Sequence, residues 1–310
     1  MDSLNRNALE LADEALDFAE ELAIGARELD NGATVLDFGH QFDGGIEAGL
    51  LLAELQTAGL ATVQSRLDEV VGAPVPQVEL STDHPGLALL CSQKAGWEVS
   101  TEDFEGLGSG PARALVAEED EFARVGYEDV SEFAVLAVES DDYPTAAVAE
   151  HVADLTGVEP GSVFLASVPT ASVAGSVSVA SRAAEMTVFR LSELGYDPLD
   201  VVSVTGAAPA APVAGDEETA IARTNDALAY GGRVHLTVRE EFDRFDEIVS
   251  TANDEYGTHF AEIFESVDWD FYEVDESVFA PAQATVNVVG GDTHVVGERD
   301  EDLLAESFGI

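Results

Sequence analysis

Residues 161–181 form a long stretch without a charged side chain, in a chain in which Asp, Glu, Lys and Arg make up 24% of all residues. The stretch reads GSVFLASVPTASVAGSVSVAS, so apolar and small residues are mixed with serines. The serines and Pro169 make it unsuitable as a membrane span, which needs roughly 20 predominantly apolar residues. It must therefore be shielded from solvent inside a folded domain, either as core or as the wall of a cleft.

The uncharged stretch ends at Arg182, and Glu185 follows three residues later in an amphipathic segment that ends at Gly195. Side chains at positions i and i+3 of a helix share a face, so these two are predicted to form an ion pair on one helix. An ion pair on an exposed helix face is the more common interpretation, and it contributes little to stability. The position of the pair at the end of an uncharged wall argues against that interpretation and favours a functional role.

The length of 310 residues exceeds the size at which a single hydrophobic core stops growing. We expect two α/β domains, residues 1–125 and 126–310, that flank a deep cleft suited to a ligand. The acidic segment from Glu118 marks this boundary, and interleaving of the two domains is left open. Strands and helices alternate along the chain, and a hairpin-like C-terminal region makes the fold class mixed α/β rather than purely parallel.

Two local predictions concern secondary structure. Apolar spacing predicts one helix from Leu4 to about Leu29, stopped by Asn31 and Gly32. The segment from Gly106 to Gly110 has the spacing GxGxG, but the preceding TEDFE is not a hydrophobic strand. A glycine-rich turn that leads into a helix is therefore preferred to a dinucleotide-binding fingerprint.

The chain has 62 acidic and 13 basic side chains, a net charge of −49, and Lys94 as its single lysine. With 46% apolar residues it does not have the composition of a disordered protein. At about 1 M salt the Debye length is roughly 3 Å, so crowded carboxylates repel one another only weakly. We expect a folded protein of an extreme halophile's cytoplasm. Nucleic acid is not an expected partner, because no basic stripe is present to neutralise phosphates.

Cysteine and histidine give no sign of a metal site. Cys91 is the single cysteine, which excludes an intrachain disulfide and fits a reducing compartment. The 6 histidines are scattered without the spacing of metal ligands. The N-terminus shows no basic region followed by an apolar one, so neither a secretory signal nor a membrane anchor is expected.

Four segments together resemble the methenyltetrahydromethanopterin cyclohydrolase family, and the resemblance extends from the N-terminal helix to about residue 290. They are GGIEAGLLLAELQTAGLATV, HPGLALLCSQKAGWEVS, GLGSGPARAL and SVASRAAEMTVFRLSELG. The resemblance implies a two-domain α/β subunit with a deep cleft, assembled as a homotrimer and working without a metal or a redox cofactor. It also implies an enzyme of archaeal one-carbon metabolism, related to methanogenesis, that reversibly hydrolyses the methenyl bridge of a reduced pterin carrier to the formyl form.

The same resemblance implies the site residues. Arg182 and Glu185 match the catalytic arginine and glutamate of the family, and Lys94 falls in its cleft-lining segment. The expected substrate-binding residues are Ser92, Gln93, Lys94, Gly108, Ser109 and Gly110. Glu185 would take the proton of the water that attacks the amidinium carbon, and later help to protonate the departing nitrogen. Arg182 would hold that carboxylate ionised and oriented, or alternatively would bind the anionic tail of the carrier.

Other functions stay open on the sequence alone. A pterin- or nucleotide-dependent oxidoreductase would use the glycines from Gly106 to Gly110 and would carry nicotinamide or flavin. A non-catalytic acidic binding protein is favoured only by the charge and leaves the uncharged wall unexplained. The surface lysines of related proteins are replaced here, which indicates a salt-adapted organism. Such organisms can use a folate-like carrier, so the sequence does not fix whether the carrier is of tetrahydromethanopterin or tetrahydrofolate type.

Overall fold

The computed structural model describes residues 3–269 and 273–310 of the chain. Its strands are, in chain order, β1 (Gly25–Glu28), β2 (Thr34–Asp37), β3 (Thr62–Val70), β4 (Ala73–Thr82), β5 (Ala95–Thr101), β6 (Phe104–Ser109), β7 (Ala134–Glu139), β8 (Val163–Val168), β9 (Val201–Pro209), β10 (Arg233–Val238), β11 (Gln283–Val288) and β12 (Thr293–Gly297). Its α-helices are α1 (Leu4–Asp17), α2 (Ile46–Gln56), α3 (Asp120–Val125), α4 (Ala146–Thr156), α5 (Val173–Ala180), α6 (Ala183–Glu193), α7 (Glu217–Gly231), α8 (Phe260–Ser266) and α9 (Glu301–Phe308).

The chain folds into two compact units, and each unit is assembled from two chain segments. The first unit contains residues 1–62 and 86–178, and the second contains residues 63–85 and 179–310. The boundary predicted after residue 125 falls inside the first unit, because the chain enters the second unit early, through β3 and β4, and then returns. Each unit has a six-stranded sheet with helices, which confirms the predicted mixed α/β class.

The sheet of the first unit has the strand order β1-β2-β8-β7-β6-β5. Strands β2, β8 and β7 run parallel to one another, and β1, β6 and β5 pair antiparallel to their neighbours. The central strand β7 reads AVLAVE and is buried along nearly its whole length. A strand that is buried on both faces has this continuous apolar character. Helices α1 and α2 pack in the core beside these strands, through Leu4, Leu52 and Leu55.

The sheet of the second unit has the order β12-β11-β10-β9-β4-β3. Strand β9 pairs antiparallel with β4 and β10, and β10 pairs parallel with β11. The antiparallel pair of β11 and β12 confirms the predicted hairpin-like end. Helix α7 is tied to α8 and α9 through the buried Asp226, which accepts hydrogen bonds from the Phe260 amide at 2.9 Å and the Ser307 hydroxyl at 2.6 Å. In the described part of the chain, no helix has the length and apolar character needed to cross a bilayer.

The predicted helix from Leu4 to Leu29 is wrong in its second half. Helix α1 ends at Asp17, and a turn follows in which Ala23 has a left-handed backbone with φ of 51°. Residues 25–28 then form β1, which pairs antiparallel with β2. Apolar residues continue at helical spacing past Asp17, but pairing with β2 outweighs this local preference.

Candidate active site

The uncharged stretch forms strand β8, a turn and helix α5. Its serines from Ser172 onwards are buried, with the largest exposed fraction at 6%. This confirms the prediction that the stretch is shielded from solvent. The stretch does not continue as one helix into the segment that follows, because α5 ends at Ala180 and α6 begins at Ala183.

Arg182 and Glu185 lie at this break, in the second unit. Arg182 is the residue immediately before α6, and its carbonyl accepts a hydrogen bond from the Met186 amide at 2.9 Å. Glu185 is in the first turn of α6, where the helix dipole favours a negative side chain. Arg182 Nη1 lies 3.6 Å from Glu185 Oε2, and the two side chains are only 10% and 7% exposed. The pair is therefore not a solvated pair on a helix surface.

The start of α6 packs closely against β9 because Gly206 has no side chain. A Cβ atom at Gly206 would lie 2.5 Å from the amide nitrogen of Ala184 and 2.9 Å from its Cβ. Real Cβ atoms do not approach other atoms this closely, so a larger residue at this position must push the first turn of α6 away from the sheet. Gly206 thereby sets the distance between β9 and the start of α6, where Arg182 and Glu185 lie.

If Arg182 and Glu185 act as the family resemblance implies, Gly206→Ala should lower kcat by about 10–100-fold, because displacement of a catalytic group by about 1 Å has effects of this size. The measurement is turnover at saturation, in molar salt, of the methenyl pterin that the family resemblance implies as substrate. Gly215→Ala is the matched control, because a Cβ at Gly215 meets nothing within 4 Å. A folded Gly206→Ala variant with the kcat of the wild type would contradict this role of the glycine.

Ser92, Gln93 and Lys94 lie in the first unit, at the end of a π-helix over Gly86–Gln93. The amide of Lys94 donates to the Leu89 carbonyl at 2.8 Å, which is the hydrogen bond of the last π-helical turn. π-helical turns are rare and occur frequently at functional sites. Ser92 and Gln93 are fully buried, whereas the side chain of Lys94 keeps 16% of its surface exposed.

The ammonium of Lys94 contacts two carboxylates. Lys94 Nζ lies 2.7 Å from Glu121 Oε1 and 3.3 Å from Glu119 Oε2. Burial alone would raise the pKa of Glu121, but the hydrogen bond and charge of Lys94 outweigh it and hold the pKa below its ordinary value. Glu119 also binds the fully buried guanidinium of Arg113 through two contacts, at 3.0 and 2.6 Å. Gly96 leaves room for this cluster, since a Cβ there would lie 2.1 Å from Glu119 Oε2.

The prediction of a glycine-rich turn at residues 106–110 is wrong for most of its length. Gly106 and Gly108 lie within β6, which pairs antiparallel with β5 on one side and β7 on the other. A Cβ at Gly108 would come within 3.0 Å of Val99, so the glycine permits close packing inside the sheet. A dinucleotide fingerprint needs these glycines in the loop between a parallel strand and a helix, so the oxidoreductase interpretation loses its structural basis.

The structure brings the two predicted binding segments of the first unit together. The Gly110 amide donates to the Ser92 carbonyl at 2.7 Å, and the backbone of Gly110 has a φ of 108°, which favours glycine. Arg113 Nη1 donates to the same carbonyl at 3.1 Å. The predicted residues are therefore grouped as Arg182 with Glu185 in the second unit, and Ser92, Gln93, Lys94, Gly108, Ser109 and Gly110 in the first.

Sequence reasoning missed three residues that contact the first group. Arg113 and Gln56 form hydrogen bonds with Ser92, Gln56 also with Ser109, and Glu119 pairs with Lys94 and Arg113. A signal existed for Arg113 and Glu119, since opposite charges six residues apart follow the glycine segment, but such pairs are ordinary in a charged chain. Gln56 carried no signal at all, because a glutamine at the end of an apolar helix is unremarkable. Among residues 3–269 and 273–310, no group of three or more His, Cys, Asp or Glu side chains is placed to hold a metal ion.

Comparison with known proteins shows similarity along the whole chain. Residues 3–308 match the family model described as Cyclohydrolase (MCH). The chain is 63% identical over 310 residues to methenyltetrahydromethanopterin cyclohydrolase of Halobacterium salinarum, with 100% of both chains covered. It is 38% identical to the proteins of the same name from Methanospirillum hungatei and Methanococcoides burtonii, over 313 and 317 residues, with 100% of this chain and 99% of each relative covered.

Proposed function

Because this chain belongs to the methenyltetrahydromethanopterin cyclohydrolase family, we propose that it catalyses the reversible hydrolysis of methenyl-tetrahydromethanopterin to formyl-tetrahydromethanopterin. The observation that carries the proposal is the buried ion pair of Arg182 and Glu185, at 3.6 Å, on a helix start held against β9. A carboxylate paired in this way is oriented and shielded, as a base in a hydrolytic site must be.

Glu185 serves as the general base in this mechanism. A water molecule adds to the electron-poor carbon of the amidinium bridge, and the Glu185 carboxylate takes the proton that the water loses. One carbon–nitrogen bond then breaks as the hydroxyl of the adduct loses its proton to solvent and becomes the formyl carbonyl, and the departing nitrogen is protonated by the same carboxyl group. The net change is the addition of one water and the release of one proton. Carbon is neither oxidised nor reduced, so we propose that the pterin is the substrate and that no further cofactor takes part.

Arg182 serves to orient that base. Its guanidinium is planar and permanently charged, so it holds a neighbouring carboxylate in one ionisation state and one direction. The separation of 3.6 Å from Glu185 and the low exposure of both side chains support this role. Contact with the anionic tail of the carrier is the alternative role for Arg182, and the double variant described in the Discussion separates the two.

We assign substrate binding to the first-unit segments that contain Ser92, Gln93 and Lys94, and Gly108, Ser109 and Gly110. Ser92, Gln93 and Ser109 are buried, so they shape these segments, while Lys94 has the partly exposed cation. The carboxylates of Glu119 and Glu121 hold its ammonium in a fixed place, which suits a residue that must meet an anionic or electron-rich group of the pterin.

We expect Lys94→Arg to raise KM for the pterin, and because Lys94 pairs with the buried Glu121, thermal unfolding is measured beside the kinetics. The reason is room, because the Lys94 ammonium lies 2.7 Å from Glu121 and 3.3 Å from Glu119, and a planar guanidinium takes more space than this compact group. The measurement is steady-state kinetics in molar salt. Arg124→Lys is the control, since it makes the opposite exchange at a nearby ion pair with Asp120. Wild-type kinetics in Lys94→Arg would reject a role of Lys94 in the site.

We also propose that the enzyme works as a homotrimer in the cytoplasm of a salt-adapted archaeon. The family resemblance supports the trimer, and the net charge of −49 together with the Halobacterium salinarum relative supports the salt-adapted cell. Sedimentation in molar salt tests the assembly.

The direct test of the function is to incubate the protein in molar salt with methenyl-tetrahydromethanopterin and, separately, with methenyl-tetrahydrofolate. Loss of the absorbance of the amidinium chromophore reports hydrolysis, and we expect the tetrahydromethanopterin form to be turned over faster. A folded protein that hydrolyses neither would refute the proposal and favour a binding protein. Bound flavin or nicotinamide would favour an oxidoreductase.

A further inference from the structure

Gln56 is the last residue of α2, and its side chain is 2% exposed. Its amide nitrogen donates to Ser109 Oγ at 3.0 Å, and its Oε1 accepts from the Ser178 hydroxyl at 3.0 Å. Its backbone carbonyl accepts from the Ser92 hydroxyl at 2.6 Å. Burial of a side-chain amide costs free energy unless the amide is hydrogen-bonded. The side chain and the backbone carbonyl of Gln56 together form hydrogen bonds with three segments that are far apart in the sequence.

Two of these three segments are the ones to which pterin binding is assigned. Ser92 lies in the last turn of the π-helix and begins the group that includes Lys94, and Ser109 lies in the group that ends at Gly110. The same two segments are joined directly by the Gly110 amide and the Ser92 carbonyl at 2.7 Å. Gln56 adds a side-chain link to one segment and a backbone link to the other, so that the end of α2 sets their separation.

The geometry points to Gln56 as a positioning residue for the pterin, one that fixes the segments Ser92–Lys94 and Gly108–Gly110 relative to each other. This inference rests on the proposed function, because the separation of the segments matters to the reaction only if they bind the substrate. A site that is held in its binding geometry before the ligand arrives loses less conformational entropy on binding. Removing the Gln56 links therefore weakens binding of the pterin.

The effect is expected in KM and not in kcat. The hydrogen bonds of Gln56 described above stay within the first unit, whereas Arg182 and Glu185 belong to the second. An interaction that contributes equally to the bound substrate and to the transition state changes KM and leaves kcat in place. A residue that served only the stability of α2 would change neither constant in a protein that is fully folded at the assay temperature.

The test is Gln56→Met, which keeps the length of the side chain and removes both of its hydrogen bonds. We expect KM for methenyl-tetrahydromethanopterin to rise about 10–100-fold, the range for small misplacements of binding groups, with kcat nearly unchanged. Gln77→Met is the matched control, since Gln77 is also 2% exposed and accepts a hydrogen bond from Arg233 at 3.0 Å in the second unit. The control should lose thermal stability and keep the KM of the wild type.

A milder variant covers the case in which Gln56→Met does not fold. Ser178→Ala removes the hydrogen bond to Gln56 Oε1 and leaves the one from the Gln56 amide nitrogen to Ser109, so it should raise KM by less, and the double variant should be no worse than Gln56→Met alone. Its control is Ser140→Ala, which removes a part-buried hydrogen bond to the Glu105 carbonyl and the one that Ser140 accepts from the Asp142 amide. Wild-type KM in a folded Gln56→Met or Ser178→Ala enzyme would overturn the inference. Failure of the wild-type protein to hydrolyse the pterin would instead overturn the proposed function on which it rests.

Discussion

Glu185→Gln is expected to lower kcat by about 10²–10⁴-fold while the pterin still binds, because glutamine keeps the size of the side chain and removes the base. The side chain of Glu185 is 7% exposed and lies 3.6 Å from Arg182, so the substitution removes a carboxylate charge from beside a buried guanidinium. Loss of one partner of a buried pair also costs stability, on the order of 3–5 kcal/mol. Thermal unfolding must therefore be measured beside the kinetics. Binding of the pterin is measured separately, by quenching of protein fluorescence.

The role of Arg182 is tested by measuring the same kinetics for Arg182→Lys and for the double variant with Glu185→Gln. If Arg182 orients Glu185, Arg182→Lys lowers kcat, and the double variant is little worse than Glu185→Gln alone, since groups that act as a unit are not additive. If Arg182 binds the tail, Arg182→Lys raises KM and preserves kcat. Near-wild-type turnover in a folded Glu185→Gln enzyme would place the base on another residue.

Transfer from molar salt to about 0.01 M salt is expected to lower activity and to dissociate the proposed homotrimer together. The net charge is −49, and the Debye length grows from roughly 3 Å to roughly 30 Å over this range, so the carboxylates repel one another across a whole subunit. The measurements are turnover and sedimentation at a series of KCl concentrations. The control is dilute buffer with an uncharged osmolyte at equal osmolality, which cannot screen charge and should not restore activity. Unchanged turnover and sedimentation in dilute buffer would show that the acidic surface is not an adaptation to salt.

Much of the fold could be predicted because its strands are short, apolar and bounded by turn residues. Strands β2, β7, β8 and β10 and helices α4 and α7 lie where periodicity and end signals put them. The burial of the uncharged stretch also followed from composition, since nothing else in so charged a chain is free of charge over that length.

The rest depended on contacts between distant parts of the chain. Residues 25–28 have the local character of a helix and become β1 only because β2 is available to pair with them. The glycines of β6 resemble a turn in sequence, and only the close approach of β5 and β7 explains why a strand contains them. The role of Gln56 could not be predicted for the same reason, because its three hydrogen-bond partners are distant in the sequence and meet it only in the folded chain.

The chain order of the two units has a consequence for how the protein is made. Strands β3 and β4 leave the ribosome early, but β4 must wait for β9, which follows residue 200, before its free edge is paired. An unpaired strand edge is a template for aggregation, and contacts between residues far apart in sequence form slowly. The second unit therefore closes only after all of the first has been synthesised, and no single cut in the gene yields the two units as consecutive fragments.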